Sequence, residues 1–151
     1  MKSSTDPNPP GLPPDRATLA AQSGWASGHL CHDGLLGCER CERLTAFRAT
    51  PHAVKGRTAL RDARYWAAPV PAFGDPAARI LLLGMAPGFH GSNRTGIPFC
   101  GDVSGRLVYA ALHRLGFASH ADPEVAGAAM KLTGVAITNA VKCVPPLNAP
   151  T

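Results

Sequence analysis

One stretch near the middle of the chain, residues 79–116, constrains the fold more than any other part of the sequence. It opens with the apolar run Ile80–Gly84, which is short and is followed by glycine and proline, as expected for a buried strand. A loop dense in Gly, Pro, Asn and His comes next, and Ser104 then begins an apolar-periodic segment. A strand, a loop and a helix in this order predict an α/β sheet that binds ligands beyond the carboxyl end of the strand.

The segment after the loop predicts one amphipathic helix, and a second strand follows it. The apolar residues at i, i+3, i+4 and i+7 are Val108, Ala111, Leu112 and Leu115. Ser104 suits the N-cap and Gly116 the position just past the C-terminus. Residues 135–138 predict the second strand, which ends at Asn139. Two strands and one helix do not complete an α/β domain, so we expect a truncated product or a fragment.

The remaining segments are predicted to surround this unit. Residues 1–23 form a Pro-rich tail that we expect to be disordered, and residues 24–151 form one incomplete domain. Residues 39–48 predict a helix, and residues 52–64 are a basic run that forms either a solvated helix face or a phosphate-facing surface. We expect residues 65–76 to be an ordered connection without a period, and residues 117–127 to be a loop.

Charge and cysteine content narrow the classes of partner. The 151 residues carry 15 Lys and Arg against 10 Asp and Glu, so the formal charge of +5 favours acidic partners, above all nucleic acid. No stretch approaches the roughly 20 apolar residues of a membrane span. The N-terminus lacks an apolar signal core, so we expect a cytoplasmic protein with no membrane partner. In that reducing compartment the five cysteines are metal ligands or free thiols rather than disulfides.

Two groups of residues carry a family resemblance. One is GMAPGFHGSNRTG at residues 84–96, followed by Pro98, Phe99, Gly101 and Asp102; the other comprises Tyr65, Trp66, PVPAFGDP at 69–76 and KCVPPLN at 142–148. Together these residues resemble the uracil-DNA glycosylase superfamily, most closely its family 5, the iron–sulfur-containing type B enzymes. The resemblance covers about residues 37–151, the amino-terminal part of such an enzyme. It implies a three-layer α/β/α sandwich with a mainly parallel sheet, truncated at the C-terminus. It also implies a monomer that acts on DNA containing uracil or other deaminated bases.

The resemblance also assigns the cysteines. Family 5 enzymes hold a [4Fe–4S] cluster with four cysteines, and three of those positions are Cys38, Cys41 and Cys143 here. The fourth ligand is absent from this chain. A zinc site completed by Cys31, His32 or Cys100 is the alternative. By spacing alone, the C-x-x-C pair supports a redox role nearly as well.

The resemblance places the chemistry in the loop, where Asp102 and Asn93 are the expected catalytic residues. Both are expected to hold water near the sugar, because Ala86 stands where better-known relatives carry a carboxylate. The expected substrate-binding residues are Gly84, Ala86, Pro87, Gly88, His90, Phe99, Ser104 and Asn139. Phe99 is expected to stack on the base and Asn139 to read its polar edge, since one amide offers a donor and an acceptor. Simpler roles stay open: a core phenylalanine for Phe99, a strand-end cap for Asn139 and a helix cap for Asp102.

The family's His-Pro-Ser loop, which supplies a donor to the leaving base, is absent from the sequence. We therefore expect little or no glycosylase activity if 151 residues are the whole protein. The leading hypothesis is a DNA-repair uracil-DNA glycosylase seen as an incomplete chain. The alternative is a catalytically inactive truncated protein that binds an iron–sulfur cluster or zinc and nucleic acid.

Overall fold

The computed structural model describes residues 29–30, 34–50, 60, 63 and 65–150. In chain order the elements are β1 (His29–Leu30), α1 (Glu42–Arg48), β2 (Ala72–Gly74), β3 (Ile80–Gly84), α2 (Ser92–Thr95), α3 (Val103–Arg114), α4 (Pro123–Ala126), a 3₁₀ turn (Gly127–Ala129), β4 (Val135–Asn139) and a second 3₁₀ turn (Pro146–Asn148). Within these ranges no helix has the length and apolar character needed to cross a bilayer. The predicted tail, Cys31, His32 and most of the basic run lie outside the described residues.

The four strands form one sheet in the order β1-β2-β4-β3. β3 and β4 run parallel in full register, with Gly84 opposite Asn139 at their carboxyl ends. β2 is antiparallel to β4, and β1 is antiparallel to β2. The α/β class is therefore confirmed, but the sheet is mixed over the described residues, and the expectation of a mainly parallel sheet is not confirmed.

Helix α3 covers one face of this sheet and forms the core with it. Tyr109 and Leu112 of the helix share a buried cluster with Phe73 and Ile137 of the strands. The Tyr109 hydroxyl, fully buried, donates a hydrogen bond to the carbonyl oxygen of Pro98 over 3.0 Å, so its polar end is satisfied.

The opposite face of the sheet is open along β3. The side chains of Leu81 and Leu83 are 61% and 64% exposed. Since no described helix covers them, the three-layer sandwich is not confirmed.

The predicted helix is present, but its start and its buried face differ from the prediction. It begins at Val103 with Asp102 at the N-cap, rather than with Ser104. Its buried residues are Gly105, Tyr109 and Leu112, whereas Ala111 and Leu115 of the predicted stripe are exposed. The helix is rotated so that Tyr109 faces the core, because its ring packs there and its hydroxyl donates a hydrogen bond to a carbonyl oxygen.

Gly116 lies just past the helix end as predicted. Its φ is +80°, a conformation that glycine adopts without strain. Its N–H donates to the carbonyl oxygen of His113 over 3.1 Å, which satisfies one of the last helical carbonyls.

The prediction of secondary structure elsewhere was partly right. Both predicted strands are confirmed, as β3 and β4. Helix α1 begins at Glu42, three residues later than expected, with Cys41 at its N-cap. The predicted irregular segments contain β2 and α4, which were missed because elements of three or four residues are too short to show a period.

Candidate functional site

A cavity of about 560 Å³ opens at the carboxyl ends of β3 and β4, where the sequence predicted a ligand site. This volume lies within the range of roughly 300–1,000 Å³ typical of small-molecule sites. The lining residues are Gly84, Met85, Ala86, Gly88, Phe99, Asp102, Val103, Ser104, Asn139 and Asn148. The structure thus gathers most of the predicted substrate-binding residues and one of the two predicted catalytic residues.

Gly84 sets the depth of the cavity. A Cβ atom at this position would lie 2.3 Å from Oδ1 of Asn139 and 2.7 Å from the ring of Phe99. Both distances are far below contact distance, so only glycine lets the ring and the amide approach the end of β3. The close packing of the ring and the amide against the end of β3 therefore depends on this residue.

Phe99 is held in its place by the backbone on either side of it. Its φ is +63°, a left-handed conformation that is uncommon for a bulky residue and is characteristic of functional loops. Its carbonyl oxygen would be only 1.7 Å from a Cβ on Gly105, so α3 can approach the loop only because residue 105 is glycine. The half-buried ring both lines the cavity and packs on the core, so a core contact and a stacking role are compatible.

Asn139 presents an amide nitrogen that is buried and has no hydrogen-bond partner among the described residues. The residue is only 3% exposed. A buried N–H group without a partner is costly, on the order of 1–3 kcal/mol. Unlike Asn93, whose amide is equally unpartnered within the described residues, Asn139 belongs to the lining of the cavity.

Asp102 is the carboxylate of the cavity. It occupies the N-cap position of α3, yet its side chain makes no capping hydrogen bond. Instead its Oδ2 accepts hydrogen bonds from the hydroxyl of Ser92 at 2.6 Å and from the Ser92 N–H at 3.3 Å. The carboxylate is thus turned away from the helix and toward the glycine-rich loop.

Three predicted site residues do not line the cavity. Asn93 is fully buried, and neither its Oδ1 nor its Nδ2 has a partner within the described part of the chain. Pro87 is fully buried as well. His90 is half-buried and contacts Tyr65, whose hydroxyl lies 2.7 Å from its Nδ1. These residues form the structure behind the loop rather than its inner surface.

Sequence reasoning missed three lining residues: Met85, Val103 and Asn148. Asn148 is the most informative, because its Oδ1 accepts a hydrogen bond from the N–H of Phe89 at 3.0 Å and so joins the chain after β4 to the loop after β3. Its position in KCVPPLN was the signal that could have identified it. The apolar Met85 and Val103 carried no such signal.

The three cysteines expected to bind a cluster lie on two segments, one before α1 and one after β4, and Arg48 links these segments. This arginine, 8% exposed, donates from Nη1 to the Cys143 sulfur over 3.1 Å and from Nη2 to the Cys38 carbonyl oxygen over 3.1 Å. Burial raises the pKa of the Cys143 thiol, and the adjacent guanidinium opposes that shift.

These cysteines do not form a ready metal site in the arrangement described. Among the described residues no group of three or more His, Cys, Asp and Glu is placed to share a metal ion. Cys41 is exposed and Cys143 is hydrogen-bonded to Arg48.

Cys100 is a core thiol. It is 1% exposed, it does not line the cavity, and burial raises its pKa to about 12. Cys100 therefore packs in the core with Tyr109 and Ile97 instead of facing the cavity.

Comparisons with known proteins show the family of this chain. Residues 71–151, more than half of the chain, match the profile of the uracil DNA glycosylase superfamily. The chain is 51% identical over 117 residues to a type-5 uracil-DNA glycosylase of Thermus thermophilus, covering 78% of this chain and 52% of that relative. A type-5 uracil-DNA glycosylase of Pyrobaculum aerophilum is 38% identical over 137 residues, which cover 91% of this chain and 58% of the relative. The chain spans about half the length of the curated relatives it matches.

Proposed function

Given that the chain belongs to the uracil-DNA glycosylase superfamily, we propose that it is all or part of a DNA-repair glycosylase. The proposed reaction is hydrolysis of the N-glycosidic bond that joins uracil, or another deaminated base, to deoxyribose in DNA. The predicted resemblance to family 5 is confirmed by the type-5 relatives. The observation that carries the proposal is the buried, unpartnered amide nitrogen of Asn139 in a cavity also lined by an aromatic ring and a carboxylate.

The cavity suits a base that has been turned out of the DNA stack. Enzymes that act on a base extrude it into a pocket and hold it by stacking and by its polar edge. The ring of Phe99 offers the stacking surface, and Nδ2 of Asn139 offers a donor to a carbonyl oxygen of the base. Uracil carries such oxygens, whereas cytosine has an amino group in place of one of them. In this proposal Asn139 favours uracil over the normal base.

The carboxylate of Asp102 is the proposed group beneath the sugar. As the glycosidic bond breaks, positive charge develops on the deoxyribose, and a nearby carboxylate stabilises it. The same carboxylate can accept a proton from an attacking water. Asn93, the second predicted catalytic residue, is buried behind the loop and does not line the cavity. In this proposal it acts from behind the loop and does not touch the reacting atoms.

The DNA backbone is proposed to lie over the first turn of α3. Val103 and Ser104 lie at the rim of the cavity, where the free N–H groups of a helix start can bind a phosphate. The formal charge of +5 favours DNA as the partner.

The proposed cofactor is a [4Fe–4S] cluster with Cys38, Cys41 and Cys143 among its ligands. It rests on the resemblance alone, because the described residues do not bring the three cysteines together. Bound by these residues, the cluster would connect the segment before α1 to the segment that carries Asn148, and it would take no part in hydrolysis.

The direct test is an assay of uracil release by the protein purified at the full length its gene encodes. Single-turnover release from a DNA oligonucleotide with one uracil is compared with that of Asp102→Asn. We expect the variant to be slower by at least about 100-fold, since acid–base groups contribute roughly 10²–10⁴. DNA affinity, measured by fluorescence anisotropy, is expected to stay unchanged.

Asp122→Asn is the matched control. Asp122 accepts hydrogen bonds from the first residues of α4, away from the cavity, so this variant should release uracil at the normal rate. DNA binding without any uracil release would overturn the proposed function and support the inactive nucleic-acid-binding alternative. Equal rates for the Asp102 variant and the native protein would remove Asp102 from the mechanism.

A further inference from the structure

The carboxylate of Asp102 is oriented by a neighbouring residue that does not line the cavity. Ser92 is 1% exposed and gives two donors, its hydroxyl and its N–H, to the same oxygen, Oδ2. The hydroxyl bond, at 2.6 Å, has the length of a charge-assisted O–H···O⁻ hydrogen bond. Because Ser92 is buried, water does not compete for these donors.

Two glycines shape the space for the other oxygen. A Cβ atom on Gly88 would lie 2.0 Å from Oδ1 of Asp102, and a Cβ atom on Gly91 would lie 1.9 Å from it. The backbone of the loop therefore forms a cradle that only glycine permits at both positions. Oδ1 has no hydrogen bond from the residues that the structure describes, in contrast to Oδ2.

We propose that Ser92 is a positioning residue: it binds Oδ2 of Asp102 and thereby keeps Oδ1 available in the cavity as the acceptor for the attacking water. This inference rests on the proposed function, because it assigns a task to the carboxylate of that reaction. The physical reason is that the two carboxylate oxygens have different roles: Oδ2 is held by Ser92, and Oδ1 is left to accept from water. With both Ser92 donors on Oδ2, rotation of the carboxylate would break two hydrogen bonds in a buried place.

The test is a double-mutant cycle in the protein at its full encoded length. Single-turnover uracil release and DNA affinity are measured for Ser92→Ala, for Asp102→Ala and for the double variant. We expect Ser92→Ala to slow release about 10-fold with unchanged DNA affinity, since small misplacement of a reacting group can cost up to about 100-fold. In the Asp102→Ala background, Ser92→Ala is expected to change the rate by less than about 2-fold.

Ser119→Ala is the matched control for loss of a hydroxyl. The Ser119 hydroxyl accepts from the N–H of Lys131 in a loop distant from the cavity, so release should be unaffected. An equal loss from Ser92→Ala in both backgrounds would show a merely structural role and overturn the inference. An unchanged rate for Ser92→Ala in an active protein would do the same.

A crystal structure of the Ser92→Ala variant separates this inference from the proposed function. A carboxylate that has rotated away from its native position supports the role of Ser92 even if the native protein releases no uracil. A carboxylate that stays in place, held by the glycine cradle and the backbone N–H alone, overturns it.

Discussion

Asn139 is buried, and its amide nitrogen has no hydrogen-bond partner among the described residues. A substitution here can therefore change ligand binding without removing a hydrogen bond of that nitrogen that stabilises the fold. Its amide nitrogen lacks a partner among the described residues, so the empty site already bears the cost of burying it. The proposed function explains this cost, because a base in the cavity would bring an acceptor to the nitrogen. The opposite residue on β3, Gly84, allows this position of the amide, because a Cβ atom there would lie 2.3 Å from Oδ1 of Asn139.

We expect Asn139→Leu to leave the free energy of unfolding within about 1 kcal/mol of the native value, because no described hydrogen bond to Nδ2 is lost. Uracil release should fall by about 100-fold or more, because the donor to the base is gone. Urea unfolding and the release assay measure the two quantities.

Thr138→Val is the control for this experiment. Thr138 neighbours Asn139 on β4, but its side chain lies on the other face of the strand and contacts Lys142. We expect normal uracil release from this variant. If Asn139→Leu were strongly destabilised yet still active, Asn139 would be a structural cap and not a reader of the base.

At the scale of elements, one aspartate joins the turn between β2 and β3 to the residue that precedes β4. Asp75 accepts a hydrogen bond from Ala77 N–H at 2.8 Å with Oδ1 and from Gly134 N–H at 2.7 Å with Oδ2. These bonds, first that of Gly134 and then that of Ala77, lower the pKa of Asp75 from 3.8. The link aligns the starts of β3 and β4, whose ends form the cavity.

We expect Asp75→Asn to unfold at lower urea concentration than the native protein at pH 7, because one carboxylate oxygen is replaced by a donor. Because the pKa of Asp75 is lowered by folding, its carboxylate stabilises the folded state at pH values above 3.8. This contribution is lost as the pH falls through the pKa of the folded state. The difference in unfolding urea concentration between the native protein and the variant should therefore become smaller at acidic pH. Urea unfolding at a series of pH values measures it, and a difference independent of pH would contradict this role for the charge.

At the scale of the whole molecule, residues far apart in sequence meet behind the cavity. Phe47 of α1 packs edge-on against Phe89, with ring centres 5.8 Å apart, and Arg48 reaches Cys143. Asn148 then binds the N–H of Phe89. Helix α1, the loop after β3 and the chain after β4 thus support one another.

We expect the protein purified without oxygen to be brown, with broad visible absorbance and bound iron. Cys143→Ser should lose iron and lower the unfolding temperature, because a metal centre that binds the folded state adds to its stability. Cys100→Ala is the control and should keep its iron, since Cys100 lies in the core. Zinc in place of iron by elemental analysis would support the zinc alternative, and a protein without metal would overturn the cofactor proposal.

The α/β class and the two strands Ile80–Gly84 and Val135–Asn139 could be predicted because an apolar run bounded by turn residues is a local signal. The place of the site followed from the same signal, since the loop after a parallel strand lies at the carboxyl edge of the sheet. The roles of Phe99, Asp102 and Asn139 came from the family resemblance and remain proposals, although all three line the cavity.

Contacts between distant residues could not be predicted in this way. β2 exists because Phe73 and Gly74 pair with β4. The inward face of α3 follows Tyr109, whose hydroxyl donates to the Pro98 carbonyl oxygen. The position of Asn93 behind the loop and of Asn148 in front of it depends on how the segments cross, which no local pattern contains. The sequence alone determined which residue types gather around the carboxyl ends of the strands. Only the tertiary structure decided which face the cavity, because burial and hydrogen bonding at each atom are settled by neighbours remote in the chain.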